Sequence, residues 1–378
     1  MTAVLHILAT YVLPFVVVLS VVVFVHEMGH YLIARWNGVR VDVFSIGFGP
    51  ELFGWNARNG TRWKVSALPL GGYIKMFGDA GAASTPEAGI AEMPPEERAV
   101  SFHHKRLGQR AAIVFGGPLA NFLLAVVVFA VLFATVGRPM ATPEVSEVLP
   151  DGAAAKAGMQ AGDLILSIDG EPIDQFIDVQ RIVRESAGVP LHFVVRRQGR
   201  EITLTITPRA VEREDRFGNR QRYGLIGVTR TGVTLERLDP LSASWQAVDE
   251  TLTVSASILG AIGQIVTGRR SVEDLGGPIR IAQISGQMAK DGILTVIRFT
   301  AILSINLGLI NLFPIPALDG GHLLFYFFEA LRGRPLSERA QEYGFRIGFA
   351  LVLALMVFAF WNDLVQLRFV DYLRGLFS

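Results

Sequence analysis

The sequence predicts a polytopic α-helical membrane protein with about four transmembrane helices and one inserted α/β domain outside the bilayer. Three observations predict it. The 378 residues are 51% hydrophobic and only 18% charged, and the mean hydropathy is +0.39. That is more apolar than an ordinary soluble chain. Four stretches approach the ~20 mostly apolar residues that a bilayer core requires. Between the second and third lies a long polar region, Arg138–Gly292, carrying strand and turn signals.

The first span runs from Leu8 to about Ala34 and carries no charge before His26. It lacks a basic n-region and leads into HEMGH rather than a small-residue cleavage site, so it is expected to stay as a helix, not to be a signal peptide. The second, Ala111–Gly137, has no charged residue. The third covers about Ile293–Leu312 and the fourth about Tyr343–Trp361, with Arg298 and Arg346 near their starts. Basic residues crowd the connection between spans one and two (Arg35, Arg40, Arg58, Arg62, Lys64 and others) and the short one between spans three and four (Arg332, Arg334, Arg339). The positive-inside rule then makes that side cytoplasmic and places both termini and Arg138–Gly292 outside. Arg368 and Arg374 weigh mildly against this orientation. Leu252–Val266, short and rich in Ser, Thr and Gly, reads as an interfacial or buried helix.

Composition also excludes. The net charge is +1 with no long basic run, which argues against nucleic acid as a partner. The chain has no cysteine, so disulfides, thiolate ligands and a cysteine nucleophile are ruled out.

Inside the polar region, Asp151–Ile173 reads as a small-residue helix leading to Gly158, a turn, the strand LILSI and an Asp169-Gly170 hairpin signal. Strands follow at Leu191–Arg197 and Glu201–Thr207. The run GMQAGDLILSIDG resembles the PDZ domains of bacterial proteases. Such domains take up a peptide as an added strand. Tyr223–Val228, YGLIGV, resembles their carboxylate-binding loop but comes after the last strand. Ala83–Ala99, rich in Pro, Glu and Ala, reads as a mobile loop. Trp63–Met76 reads as a hairpin turning at Gly71-Gly72, near enough to the first span to dip toward the membrane.

The chemistry starts at His26-Glu27-Met28-Gly29-His30. An ionised group inside a membrane helix costs ~2.5–3.5 kcal/mol even on the mild insertion scale, so these residues are a functional-site hypothesis. On a helix, i and i+4 share a face, which lets His26 and His30 bind one zinc ion. Glu27 is placed to take a proton from water at the metal. A catalytic zinc needs a third protein ligand. The third span ends in NLGLINLFPIPALDGGH, where Pro314 and Pro316 break the helix and leave Asp319 on irregular backbone. Asp319 is the expected third ligand and His322 the runner-up. Asn306 and Asn311 are candidates to hydrogen-bond substrate backbone or a developing oxyanion, with helix–helix bonding as the alternative.

Together these motifs resemble the site-2 protease family of intramembrane zinc metalloproteases, and most closely its bacterial regulator-of-sigma-E protease group. HExxH in a first span and NxxPxPxLDGG after a third carry the resemblance. SIGFGP at Ser45–Pro50 resembles the family's re-entrant element, ALPLGGYIKMFGD its membrane-associated β-hairpin, and GGPLANFLLA and GGPIRIAQ fit as well. A single PDZ domain, where many relatives carry two, is the visible departure. The resemblance implies Zn2+ held by His26, His30 and Asp319, with Glu27 as the base. It implies single-span membrane proteins as substrates, such as trimmed anti-sigma factors or leftover signal peptides, cut in a bacterial inner membrane. Gly71, Gly72, Tyr73, Ile74, Lys75 and Met76 would pair with the unwound substrate and Asn311 would help hold it open. The PDZ domain would bind a peptide or exclude bulky substrates.

The expected division is 1–36, first span with HExxH; 37–110, cytoplasmic or re-entrant loop with the hairpin; 111–137, second span; 138–230, PDZ domain; 231–292, linker with an interfacial helix; 293–322, third span; 323–343, cytoplasmic loop; 344–378, fourth span and tail. Two other classes compete. Intramembrane His, Glu and Asp also mark metal or proton transporters, although no inverted repeat of HEMGH is present. A non-catalytic PDZ scaffold is the other, and the intact Glu27 disfavours it.

Overall fold

The computed structural model describes residues 2–81, 90–140, 142–173, 175–214, 220–230, 234–268 and 276–366. Contacts divide the chain into two compact units, one of residues 1–130 and 242–378, the other of residues 131–241.

The first unit holds four helices long and apolar enough to cross a membrane, at Leu5–Trp36, Leu107–Thr135, Ile293–Leu312 and Arg339–Val365. The first passes through a π-helical turn, Leu8–Val12, into helix α1, Leu13–Trp36. Pro14, which has no N–H to give to the ladder, closely follows that π-helical turn. The buried residues Val18, Val22, Val23, His26, Glu27, Gly29, His30 and Ala34 recur every three or four positions and form one stripe. The helix stops at Gly38, whose φ of +68° is the left-handed conformation that ends helices.

Two long strands follow, β1 (Val41–Asn56) and β2 (Arg62–Met76). The sequence reading is corrected here. Trp63–Met76 falls within β2, yet the chain reverses inside it: Trp63–Val65 and Gly72–Ile74 run in opposite directions on the two sides of Phe44–Ile46, so the two arms flank β1 instead of pairing with each other, and SIGFGP is part of β1. A second reversal lies at Ala57–Thr61, closed by backbone bonds between Ala57 and Thr61, with Gly60 at φ +88°. Asn59-Gly60 is the strongest short-range hairpin signal in this stretch, and it joins arms that pair directly, Phe53–Asn56 with Arg62–Val65. The ladder is irregular. Phe44, Ser45 and Ile46 pair on one side with Ile74, Tyr73 and Gly72, and on the other with Trp63, Lys64 and Val65. Gly47 and Gly49, at φ +87° and +86°, bend β1 between Phe44–Ile46 and Phe53–Asn56, the second of which also pairs with Arg62–Val65. Tyr31, Phe44 and Trp63 form an aromatic cluster, with Phe44 stacked on Trp63 at 4.3 Å. With Val39, Val41, Ile74, Met76, Phe102 and Ile113 it fixes this sheet to the end of α1.

Residues 83–89 of the expected mobile loop lie outside the described residues, and the remainder holds a 3-10 turn and most of a short helix, Pro95–Val100. Helix α2, Leu107–Thr135, contains Pro118. After the second unit come α3 (Pro240–Val266), α4 (Pro278–Lys290) and α5 (Ile293–Leu312). The ambiguous Leu252–Val266 is thus the second half of a longer helix, α3. Ala243, Ala247 and Thr251 are buried on it while Leu241, Trp245 and Leu252 are exposed. Helix α5 stops at Leu312, the chain crosses Pro314 and Pro316 without helix, and α6 starts at Asp319 and runs to Arg332. Most of the stretch expected as a loop between the third and fourth spans is therefore helical. Helix α7, Glu338–Gln366, completes the unit.

In the second unit, β3 (Leu164–Ile168), β4 (Leu191–Arg197) and β5 (Arg200–Ile206) form an antiparallel sheet, extended beyond β3 by Glu171–Pro172. Asp169-Gly170 and Gln198-Gly199, all at positive φ, make the tight turns that their sequence signals require. Helix α8, Phe176–Glu185 in sequence order between β3 and β4, is opened by a Gln175/Asp178 capping box. Its Val179 and Val183 pack with Ile165, Ile168, Phe193, Val195 and Ile206. Arg197 clamps the buried Asp163 through two hydrogen bonds of 2.7 Å. Within YGLIGV, Tyr223–Leu225 pairs with Arg209–Val211, and Val228-Thr229 pairs with Glu147-Val148. A cavity of about 230 Å³ lies between α8 and Tyr223–Val228.

Candidate active site and metal centre

Three side chains converge where α1 meets the break between α5 and α6. His26 and His30 lie one turn apart with their Nε2 atoms separated by 3.2 Å. The proline break carries Asp319 to them. Its Oδ2 is 3.1 Å from His26 Nε2 and 3.4 Å from His30 Nε2. Among the described residues these three form the one group arranged to hold a metal ion.

The donor set fits zinc. A tetrahedral ion with ligands at ~2.0–2.1 Å requires ligand atoms about 3.3–3.4 Å apart. The three donor–donor distances span 3.1–3.4 Å. Oδ2 of Asp319 is buried without a hydrogen-bond donor, a costly state for a carboxylate oxygen unless a cation meets it. His26, His30 and Asp319 all line a cavity of about 630 Å³.

Glu27 lines the same cavity and is 8% exposed. The backbone N–H of Ile74 lies near its carboxylate. Gly72 lies against it so closely that an added Cβ would sit 3.0 Å from Glu27 Cγ and 2.8 Å from Val23 Cγ1. The segment Gly72–Met76 therefore runs past the base. Its far end is held by Asp79, which accepts from the Met76 N–H at 3.0 Å and from His103 Nε2 at 2.8 Å.

Of the residues singled out in the sequence, Gly72, Tyr73, Ile74, Met76 and Asn311 line the cavity, whereas Gly71, Lys75 and Asn306 do not. Asn311 donates to Leu307 O at 3.0 Å, leaving its side-chain oxygen available. His322 is a wall residue, its ring 5.0 Å from that of Phe345, and Asp319 stands in the position for which His322 was the alternative.

Two contacts escaped the sequence reading. His30 Nδ1 donates to Ile113 O at 2.9 Å, and His26 Nδ1 faces the side-chain amide of Asn121 at 3.2 Å. Asn121 sits in GGPLANFLLA, and an amide in an otherwise apolar span was the available signal.

The peptidase family M50 model matches residues 14–355. A protein of Agrobacterium fabrum named as a zinc metalloprotease is 50% identical over 365 residues, covering 95% of this chain and 97% of the relative. One of Rhizobium meliloti, named likewise, is 51% identical over 94% of this chain and 96% of its own length. The metalloprotease MmpA of Caulobacter vibrioides is 40% identical over 96% of this chain and 97% of its own length. A solved PDZ domain of an SdrC-like protein from Listeria monocytogenes aligns with 23% of this chain and 90% of its own, at 21% identity and a TM-score of 0.18. With a family match across most of the chain and half-identical relatives along nearly its full length, this polytopic membrane protein belongs to peptidase family M50, the site-2 protease family, and is a zinc metalloprotease.

Proposed function

We propose that the chain is an intramembrane endopeptidase that cuts the transmembrane segments of single-span membrane proteins, with His26, His30 and Asp319 holding zinc and Glu27 as the general base and acid. The observation that carries this reading is the meeting of the HExxH stripe of an apolar helix with Asp319 at a cavity bordered by the edge of Gly72–Met76. Zinc supplies Lewis acidity, which makes water nucleophilic at neutral pH and polarises a carbonyl. Glu27 accepts a proton from the attacking water and delivers it to the amine nitrogen as the C–N bond breaks, giving one carboxylate and one amine.

A transmembrane helix hides its amides in its own hydrogen bonds, so the substrate must be extended. Residues Gly72–Ile74 are paired with β1 on one edge, and among the described residues no strand pairs with the other. That edge suits strand addition, which holds the scissile peptide straight beside Glu27. The side-chain oxygen of Asn311 accepts a substrate N–H.

In this reading the site opens toward the cytoplasmic face of a bacterial inner membrane, and the termini and the PDZ-like unit lie outside. The cavity between α8 and Tyr223–Val228 supports docking of a peptide end, and the unit's bulk supports exclusion of substrates with intact outer domains. A trimmed anti-sigma factor or a leftover signal peptide meets these requirements.

The test is cleavage of a tagged single-span substrate with a short outer tail, in membranes carrying the wild type or Glu27→Gln. Cleavage within the span by the wild type alone, with zinc content equal in both, supports the proposal. Equal cleavage by both assigns the activity to another protease. Zinc flux into sealed vesicles without cleavage favours transport, and peptide binding without cleavage favours a scaffold.

A further inference from the structure

We propose that Asn121 is a positioning residue of the metal centre, whose side-chain oxygen accepts the Nδ1–H of His26 and holds that imidazole with Nε2 turned to the metal. The inference rests on His26 being a zinc ligand.

Asn121 is fully buried on α2, and its amide nitrogen is placed 3.2 Å from His26 Nδ1. In that orientation its Oδ1 is buried with no hydrogen-bond partner. An imidazole that gives Nε2 to a metal carries its proton on Nδ1 and needs an acceptor there. The two ends of an amide have nearly the same shape. Turning it by a half rotation brings Oδ1 to Nδ1 and gives the oxygen a donor there. The main chain of Asn121 is fixed as well, because Ser304 of α5 donates to its carbonyl at 2.9 Å.

His30 is held in the same way from the same helix, by Ile113 O. Both orienting groups thus flank Gly116-Gly117-Pro118. The glycines bring α2 onto HExxH: a Cβ on Gly117 would lie 2.3 Å from His30 Nε2, and one on Gly116 would lie 2.8 Å from Gly29 O. Pro118 removes a ladder donor from α2 in the same turn. GGPLAN therefore sets the rings of both histidines instead of merely joining two helices.

The experiment uses the full-length chain in detergent micelles, stripped of metal and titrated with zinc alone against a competing chelator. The variants are Asn121→Leu, Asn121→Asp and His26→Ala. Loss of an orienting partner weakens metal binding by about 10–100-fold, and that loss is expected for Asn121→Leu. Asn121→Asp, which still accepts, restores most of the affinity. In 15N-histidine spectra of the metal-free protein, His26 is expected as the Nδ1–H form in the wild type and the Asp variant, and as a mixture in the Leu variant. Wild-type affinity in Asn121→Leu, with binding lost in His26→Ala, overturns the proposal. So does an Asp variant as weak as the Leu variant, because packing alone then explains both. Wild-type affinity in His26→Ala instead overturns the metal-site reading on which the proposal stands. If Asn121→Leu does not fold, the smaller Asn121→Ala takes its place with the same outcomes.

Discussion

Gly29, the residue before the second histidine, gives the sharpest mutational test of how this site is held. A Cβ built on it lies 2.1 Å from Gly116 O and 2.6 Å from Ala120 Cβ. A carbon and a carbonyl oxygen in contact stay about 3.3 Å apart, and both obstacles lie on a helix that cannot rotate away. Gly29→Ala therefore parts α1 and α2 by about 1 Å at this level. The His30–Ile113 bond of 2.9 Å and the His26–Asn121 contact of 3.2 Å both span this gap. Each then stretches to about 4 Å, beyond hydrogen-bonding range. Overpacking of this kind costs about 1–3 kcal/mol of stability, and losing both orienting partners weakens zinc binding by at least the ~10–100-fold expected of one. The assay pairs thermal unfolding of the metal-free protein in micelles with zinc competition. Gly260→Ala on α3 is the control: nothing lies within 4 Å of its Cβ, and alanine adds up to ~1 kcal/mol of helix propensity there. A Gly29→Ala protein that unfolds at the wild-type temperature and binds zinc as tightly would refute the close-approach argument.

Other outcomes follow from the same geometry. Asp319→Ala is expected to lower zinc affinity far more than His322→Phe, measured by chelator competition, because only Asp319 reaches both Nε2 atoms. Asp363 accepts from the N–H groups of Gly277, Ile279 and Arg280 at 2.9–3.1 Å, tying α7 to the first turn of α4. Asp363→Leu leaves those donors bare at about 1–3 kcal/mol, and hydrogen exchange in α4 should rise while Asp363→Asn keeps most of the protection. In the second unit, burial raises the Asp163 carboxyl, but hydrogen bonds from Arg197 and the Gln160 N–H more than offset it and hold it below the ordinary carboxylate range. A depressed folded-state pKa means its stabilisation is present above about pH 3.9, the unfolded value, and is lost as pH falls through the lower folded one. Acid-induced opening of β3 and β4, followed by hydrogen exchange, should keep this step in the wild type and lose it in Asp163→Asn.

Much was legible in the sequence because its causes are local. Four apolar runs, an i, i+4 histidine pair and two prolines before an aspartate each carry their meaning within a few residues. Periodicity places His26, Glu27 and His30 on one helix face, and bilayer thickness selects the spans. The strands Leu164–Ile168 and Leu191–Arg197 and the Asp169-Gly170 turn were equally readable, since turn chemistry is local too. Tertiary structure decided the rest. Whether Asp319 or His322 meets the histidines depends on how the chain leaves Leu312, which no spacing rule gives. The pairing of Phe44–Ile46 with both Trp63–Val65 and Gly72–Ile74 depends on two bends in β1 and on a reversal on either side of Trp63–Val65, so the turn expected near Gly71-Gly72 forms but β1 lies between its arms. Asn121 and Ile113 O lie more than eighty residues from the histidines they face. Their role exists only because glycines on both helices let two backbones touch, and contact between distant segments leaves no mark in either segment alone.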